Sequence, residues 1–153
     1  MNKKIFAALL SALLGAAGLV QAAPVYTIQE LGAGGSNSYA AAVNASGDVA
    51  GSSYYAPMWT TSTYDRAFTY AAGQITELGT LGAVNSKAND INDQGDVVGE
   101  ADSPFLYQWR AFLYTAGAMT DLGTLGGSYA GAKGINNLGD VVGYASTPGN
   151  ESM

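Results

Sequence analysis

Ile91-Asn92-Asp93-Gln94-Gly95-Asp96-Val97-Val98-Gly99 is the stretch whose reading decides the fold. It enters apolar, turns polar from Asn92 to Asp96, and leaves through two β-branched residues. Asn and Gly tolerate the left-handed backbone of a tight hairpin, and paired Val favours an extended return strand. The same pattern recurs as Val43-Asn44-Ala45-Ser46-Gly47-Asp48-Val49-Ala50-Gly51 and as Ile135-Asn136-Asn137-Leu138-Gly139-Asp140-Val141-Val142-Gly143. The Asn-to-Asn steps are 48 and 44 residues.

Two further motifs keep the same order around it. Glu30-Leu31-Gly32 returns as Glu77-Leu78-Gly79 and as Asp121-Leu122-Gly123, and Arg66-Ala67-Phe68-Thr69-Tyr70 returns as Arg110-Ala111-Phe112-Leu113-Tyr114. A period in this range marks a solenoid, a propeller or an array. Each unit reads as four short strands, in the second unit Ser86 to Asn92, Asp96 to Gly99, Arg110 to Tyr114 and Met119 to Gly123, with a turn at Thr115-Ala116-Gly117-Ala118. Short connections between consecutive strands favour an antiparallel meander. The expectation is an all-β fold of tandem four-stranded antiparallel units, blade-like, forming an incomplete β-propeller. A β-solenoid and a sandwich of repeated hairpins are the competing architectures.

The repeat domain is expected over 23–153, with units over 25–74, 75–118 and 119–153. The third unit reaches Met153 just where its Arg-Ala-Phe strand should begin, and the first is preceded by a lone strand of the fourth type, Val25 to Gly32. The expectation is either a fragment of a longer repeat protein or an open array whose edges invite pairing, including self-association.

Taken together, Leu-Gly-Thr-Leu-Gly, Ile-Asn-x-x-Gly-Asp-Val-Val-Gly and x-Ala-Phe-x-Tyr resemble the HAF-type extracellular repeat of bacteria, named for a His-Ala-Phe tripeptide. The resemblance covers residues 25–153, with Arg66 and Arg110 standing where that family has His. It implies export and a β-rich repeat, and it brings no catalytic residues.

Residues 1–22 read as a secretory signal peptide, helical if uncleaved. Lys3 and Lys4 precede an uncharged apolar run from Ile5 to Val20, and Val20-Gln21-Ala22 puts small residues where signal peptidase needs them. The run is too short for a membrane span, which needs about 20 apolar residues. The mature chain is therefore expected outside the cell, or alternatively in the periplasm, with no stable membrane span.

The chain of 153 residues contains no His and no Cys. Ser-His-Asp and Cys-His catalysis, His or Cys metal ligation, haem and disulfides are thereby excluded, and no cofactor is expected. The net charge is −6, and cleavage after Ala22 leaves 4 basic against 12 acidic side chains. Nucleic-acid binding draws on a basic surface, so no nucleic-acid partner is expected.

Candidate sites are sparse. Asp48, Asp96 and Asp140 sit beside turns and read as turn chemistry. The Asp90-to-Gly95 run looks faintly like a calcium loop, but Ala101 occupies the closing position. Arg66 and Arg110 read as anion-binding or as ion pairs with an acid of the preceding fourth strand, such as Glu30 or Glu77. Two segments of variable length are rich in aromatics: 52–65 holds Tyr54, Tyr55 and Trp59, and 100–109 holds Phe105, Tyr107 and Trp109. These six are the candidate ligand-binding residues, suited to a carbohydrate or protein surface. The competing expectation is that they pack between units.

The function expected is that of an exported, non-catalytic β-repeat scaffold or binding module. The alternative is a fragment of a larger propeller-type extracellular glycan-active enzyme, working through carboxylates such as the non-repeated Asp65, Glu100 and Asp102. Export has a direct test. N-terminal sequencing of material recovered outside the cytoplasm should begin at or near Ala23, and a mature protein that retains Lys3 would contradict the leader assignment.

Overall fold

The computed structural model describes residues 7–8, 27–31, 34–56, 62–104 and 108–149. Among these every regular element is a strand. A short strand β1 (Ala7–Ala8) pairs with β2 (Ile28–Gln29). The first unit is β3 (Asn37–Val43), β4 (Val49–Tyr55), β5 (Tyr64–Ala71) and β6 (Gln74–Gly79). The second is β7 (Ser86–Ile91), β8 (Val97–Asp102), β9 (Trp109–Thr115) and β10 (Ala118–Asp121). The third contributes β11 (Ala130–Ile135) and β12 (Val141–Ala145). The sheets run β3-β4-β5-β6, β7-β8-β9-β10 and β11-β12, all antiparallel between chain neighbours. The meander expected from the repeat is therefore present, with the fourth strand ending at Asp121 rather than at Gly123.

Two expectations change at the N-terminus. Of the lone strand expected over Val25 to Gly32, residues 27–31 are described, and among them Ile28–Gln29 are extended. The helix expected over the leader falls mostly outside the described residues, and Ala7–Ala8 are extended, in the register on β2 that Thr69 and Tyr70 take on β6.

The Asn-x-x-Gly-Asp turns form as expected. Gly47, Gly95 and Gly139 all have φ of 84°. In each turn the Gly N–H donates to the carbonyl of the Asn three residues before it, and the Asn N–H donates to the carbonyl of the Asp four residues after it. This is the three-residue hairpin with a glycine in the left-handed position.

The Asn side chain completes the turn and then reaches past it. Asn92 Oδ1 accepts from the N–H groups of Gln94 (3.1 Å) and Asp96 (2.9 Å), while its Nδ2 donates to Asp96 Oδ2 (3.2 Å) and to the Asn136 carbonyl of the next unit (3.3 Å). Asn44 does the same with Ser46, Asp48 and the Asn92 carbonyl. Two acceptor lone pairs and two amide protons are all that an asparagine side chain owns, and both residues use every one. A second row runs beside the first: the Ala45 N–H donates to Asp93 Oδ1 at 2.8 Å, and the Asp93 N–H to Asn137 Oδ1 at 2.9 Å.

Between these turns and the outer strands the units pack face on face. Ala50, Ala67 and Leu78 of unit 1 meet Ala88, Val97, Ala101 and Phe112 of unit 2. Val98 and Ala111, on the opposite face of unit 2, meet Ala130 and Ala132 of unit 3. Both faces of a central unit are thus buried, so Val97 and Val98 are adjacent yet both fully covered. Small residues recur where the sheets approach, and among the described residues Phe112 is the largest side chain buried between units 1 and 2. Its ring lies over Gly99, its cross-strand partner, as Phe68 lies over Gly51.

A bulge in each first strand, between Ala40 and Ala42, Ala88 and Asp90, Ala132 and Gly134, presses backbone against that same glycine. A Cβ on Gly99 would sit 2.0 Å from the Lys87 carbonyl oxygen and 2.8 Å from the Phe112 ring, whereas one on Gly95 would meet nothing. The two glycines of one motif are thus required for different reasons. Gly99→Ala overpacks backbone and should cost about 2–3 kcal/mol; Gly95→Ala meets only left-handed strain, about 1 kcal/mol. Equal melting temperatures for the two variants would contradict this assignment.

Candidate functional site

The meander sorts its connections to two edges. The Asn-Gly turns and the Ala72-Gly73 and Ala116-Gly117 turns lie at one end of the strands. The β4–β5 and β8–β9 connections, and the crossings from β6 to β7 and from β10 to β11, lie at the other. The first edge repeats nearly identically, and the second carries the residues that differ between units. The candidate aromatics belong to this second edge.

Three of the six candidates are described. Tyr54 and Tyr55 close β4 and Trp109 opens β9, so these residues extend strands rather than standing in loops. Trp59, Phe105 and Tyr107 lie outside the described residues. Their placement follows from register: Tyr55 opposes Tyr64 and Asp102 opposes Trp109, continuing the β4–β5 and β8–β9 ladders beyond the repeated motif.

Tyr55 stacks on Tyr64 with ring centroids 5.2 Å apart, and the Arg66 guanidinium sits 4.7 Å over the Tyr64 ring. The Tyr55 hydroxyl donates to Glu77 Oε1 at 2.6 Å. Partial burial, then the Glu77 carboxylate, push the Tyr55 phenol up to about 12. The group stays neutral where a free tyrosine titrates, and its contribution to stability is lost only as pH rises from the free value near 10 through the folded one.

Between units 1 and 2, Asn85 and Lys87 form a polar seam. The Asp65 N–H donates to Asn85 Oδ1 (3.0 Å), and Asn85 Nδ2 donates to Asp102 Oδ2 (2.8 Å). Lys87 pairs with Asp65 at 3.3 Å while its ammonium lies 5.4 Å over the Trp109 ring. Unit 3 repeats the idea one step on: Lys133 Nζ (3.4 Å) and the Tyr144 hydroxyl (2.9 Å) both donate to Glu100 Oε2. Burial, then that carboxylate, raise the Tyr144 phenol to about 12.

The arginines differ from the expectation. Arg110 Nε lies 3.7 Å from Asp121 Oδ2, on the fourth strand of its own unit rather than the preceding one. Arg66 turns to Tyr64, and Glu77 is taken by Tyr55. The antiparallel β9–β10 pairing puts Asp121 opposite Phe112, within reach of Arg110 on the same strand. The turn acids behave as expected, Asp48, Asp96 and Asp140 each accepting from the Asn of the same turn. Asp90 is spent on the N–H groups of Ile91 and Ile135. Among the described residues, no group of three or more Asp or Glu side chains gathers in metal-holding range.

The arrangement presents stacked rings flanked by paired charges, a surface able to stack on a flat ligand and hydrogen-bond at its rim. Asn85 and Lys87 escaped the reading of the sequence, because their importance comes from a neighbouring unit. Comparison of the chain with protein-family models, with curated proteins and with solved structures found no match.

Proposed function

We propose that this chain is an exported, non-catalytic scaffold built of HAF-type repeats, arranged as blades of an incomplete propeller, with the aromatic edge as its recognition surface. The observation that carries the reading is the division of labour between the two edges. One edge is committed to joining units through repeated asparagines. The other holds the non-repeated rings and charges, which is where a repeat scaffold places recognition. A carbohydrate or a protein surface is the ligand class that stacked, half-buried tyrosines with a cationic neighbour suit best.

The glycan-active alternative needs a free pair of carboxyl groups, one acid and one base or nucleophile. Asp65, Glu100 and Asp102 are engaged with Lys87, with Lys133 and Tyr144, and with Asn85 respectively. That engagement supports the scaffold reading, since Asp65 and Glu100 are bonded to the following unit and Asp102 fixes Asn85 at the seam between units 1 and 2. The purified mature chain should release no reducing ends from a panel of polysaccharides, and Asp102→Asn should cost about 1–2 kcal/mol of stability, the scale of a hydrogen bond to a charged group. Hydrolysis abolished by Asp102→Asn or Glu100→Gln would replace the scaffold with the enzyme.

A further inference from the structure

The rings of the variable edge recur with the same company, one cation and one carboxylate. Between units 1 and 2, Lys87 pairs with Asp65 at 3.3 Å and lies 5.4 Å over Trp109. In unit 1, Arg66 lies 4.7 Å over Tyr64, which stacks on Tyr55, whose hydroxyl donates to Glu77. Between units 2 and 3, Lys133 reaches Glu100 at 3.4 Å and lies 5.4 Å over Tyr144, whose hydroxyl donates to the same carboxylate. Repetition of the fold does not produce this recurrence. By strand register, Trp109 occupies the place that Asp65 has in unit 1, Tyr144 the place of Glu100, and Lys87 the places of Tyr39 and Gly131. A role in joining units would call for the same residue at the same place in each, as the turn asparagines show. Here the chemistry recurs while its positions do not, so the constraint on it lies outside the repeat.

That chemistry selects a ligand. Lys87 and Lys133 already face carboxylates, and the chain without residues 1–22 carries 4 basic against 12 acidic side chains. An anionic ligand would have to displace an acid and approach a negative surface. A protein surface docks best on a contiguous apolar centre from which charged residues are depleted; here charges stand between the rings. A neutral sugar meets neither obstacle. One face of a pyranose ring presents C–H groups that pack on an aromatic face, and its rim presents neighbouring hydroxyls, each a donor and an acceptor. The Lys87–Asp65 pair offers a donor and an acceptor 3.3 Å apart, with side chains 43% and 22% exposed, beside the Trp109 ring. The rings are fixed by contacts within the chain, which lowers the ordering cost of binding.

We propose that the aromatic edge binds a neutral oligosaccharide laid across units 1 and 2. One sugar packs on Trp109 with its hydroxyls on Lys87 and Asp65, and another packs on the Tyr55–Tyr64 pair. Stacked sheets lie about 10 Å apart, more than the width of one sugar ring, so a ligand that spans both ring sites contains several sugars. The proposal rests on the aromatic edge being the recognition surface, and it narrows the ligand to uncharged glycans.

The test is affinity electrophoresis of the full chain through gels cast with hydroxyethyl cellulose, galactomannan, arabinoxylan or polygalacturonate. Retardation by at least one of the neutral polymers is expected, growing saturably with polymer concentration, with none by polygalacturonate. Trp109→Leu, which removes the ring and keeps apolar bulk at the seam, should weaken that retardation at least about tenfold, as should Tyr64→Leu, with thermal unfolding showing each variant folded. No retardation by any neutral polymer overturns the glycan and leaves the edge to a protein surface. Retardation by polygalacturonate that either variant abolishes overturns the neutral ligand and keeps the edge. Retardation unchanged in both variants places the sugar elsewhere, and overturns the edge reading together with the proposal.

Discussion

The hydrogen bond from an asparagine side chain to the backbone of the next unit is the constraint on which the rest of the array depends. Asn44 and Asn92 each shape their own hairpin with three bonds and spend the fourth on the carbonyl of the following Asn. An intramolecular hydrogen bond contributes only about 1 kcal/mol net, so the importance of this one lies in what it aligns. It holds one hairpin against the next at a fixed height, which sets the register between sheets. Only then do Ala88 and Ala101 face Ala50 and Ala67 closely enough to exclude water. Aspartate has no protons to give and would repel Asp96; glutamine is one carbon too long. The residue type follows from the four valences it must fill.

Close approach of the sheets then dictates composition. Alanines and a glycine line the faces, and between units 1 and 2 a phenylalanine fills what they leave, its burial worth about 1.5–3 kcal/mol. Because each unit buries both faces against neighbours, stability is shared between units as in other repeat arrays. The turn edge contributes nothing variable, and the opposite edge collects Tyr55, Tyr64, Trp109 and their charged partners.

Periodicity within one unit was legible in the amino-acid sequence, and relations between units were not. The four-stranded meander, the left-handed glycines at 47, 95 and 139, and the turn role of Asp48, Asp96 and Asp140 all follow from local chemistry, which acts over a few residues. The seam through Asn85 and Lys87 does not, because it depends on which residue of one sheet faces which residue of the next. The same blindness sent Arg110 to an acid of the preceding unit when Asp121 of its own sheet is the partner. Tyr54, Tyr55 and Trp109 were placed in loops because they lie beyond the repeated motif, yet strand pairing runs on past the motif for as long as the backbones stay in register. Gly99 looked like the end of a strand and is its middle, kept free of a side chain by a bulge that no local pattern announces.

The alanine series at the three turn asparagines measures the cross-unit bond most directly. Asn44, Asn92 and Asn136 make the same three bonds within their own hairpins, and Asn44 and Asn92 add the bond to the next unit's carbonyl. The series therefore carries its own control. Asn44→Ala and Asn92→Ala should each destabilise the chain by about 1 kcal/mol more than Asn136→Ala in denaturant unfolding. Equal losses at all three positions would mean that the asparagines only shape their turns, and that something other than this ladder sets the units against one another.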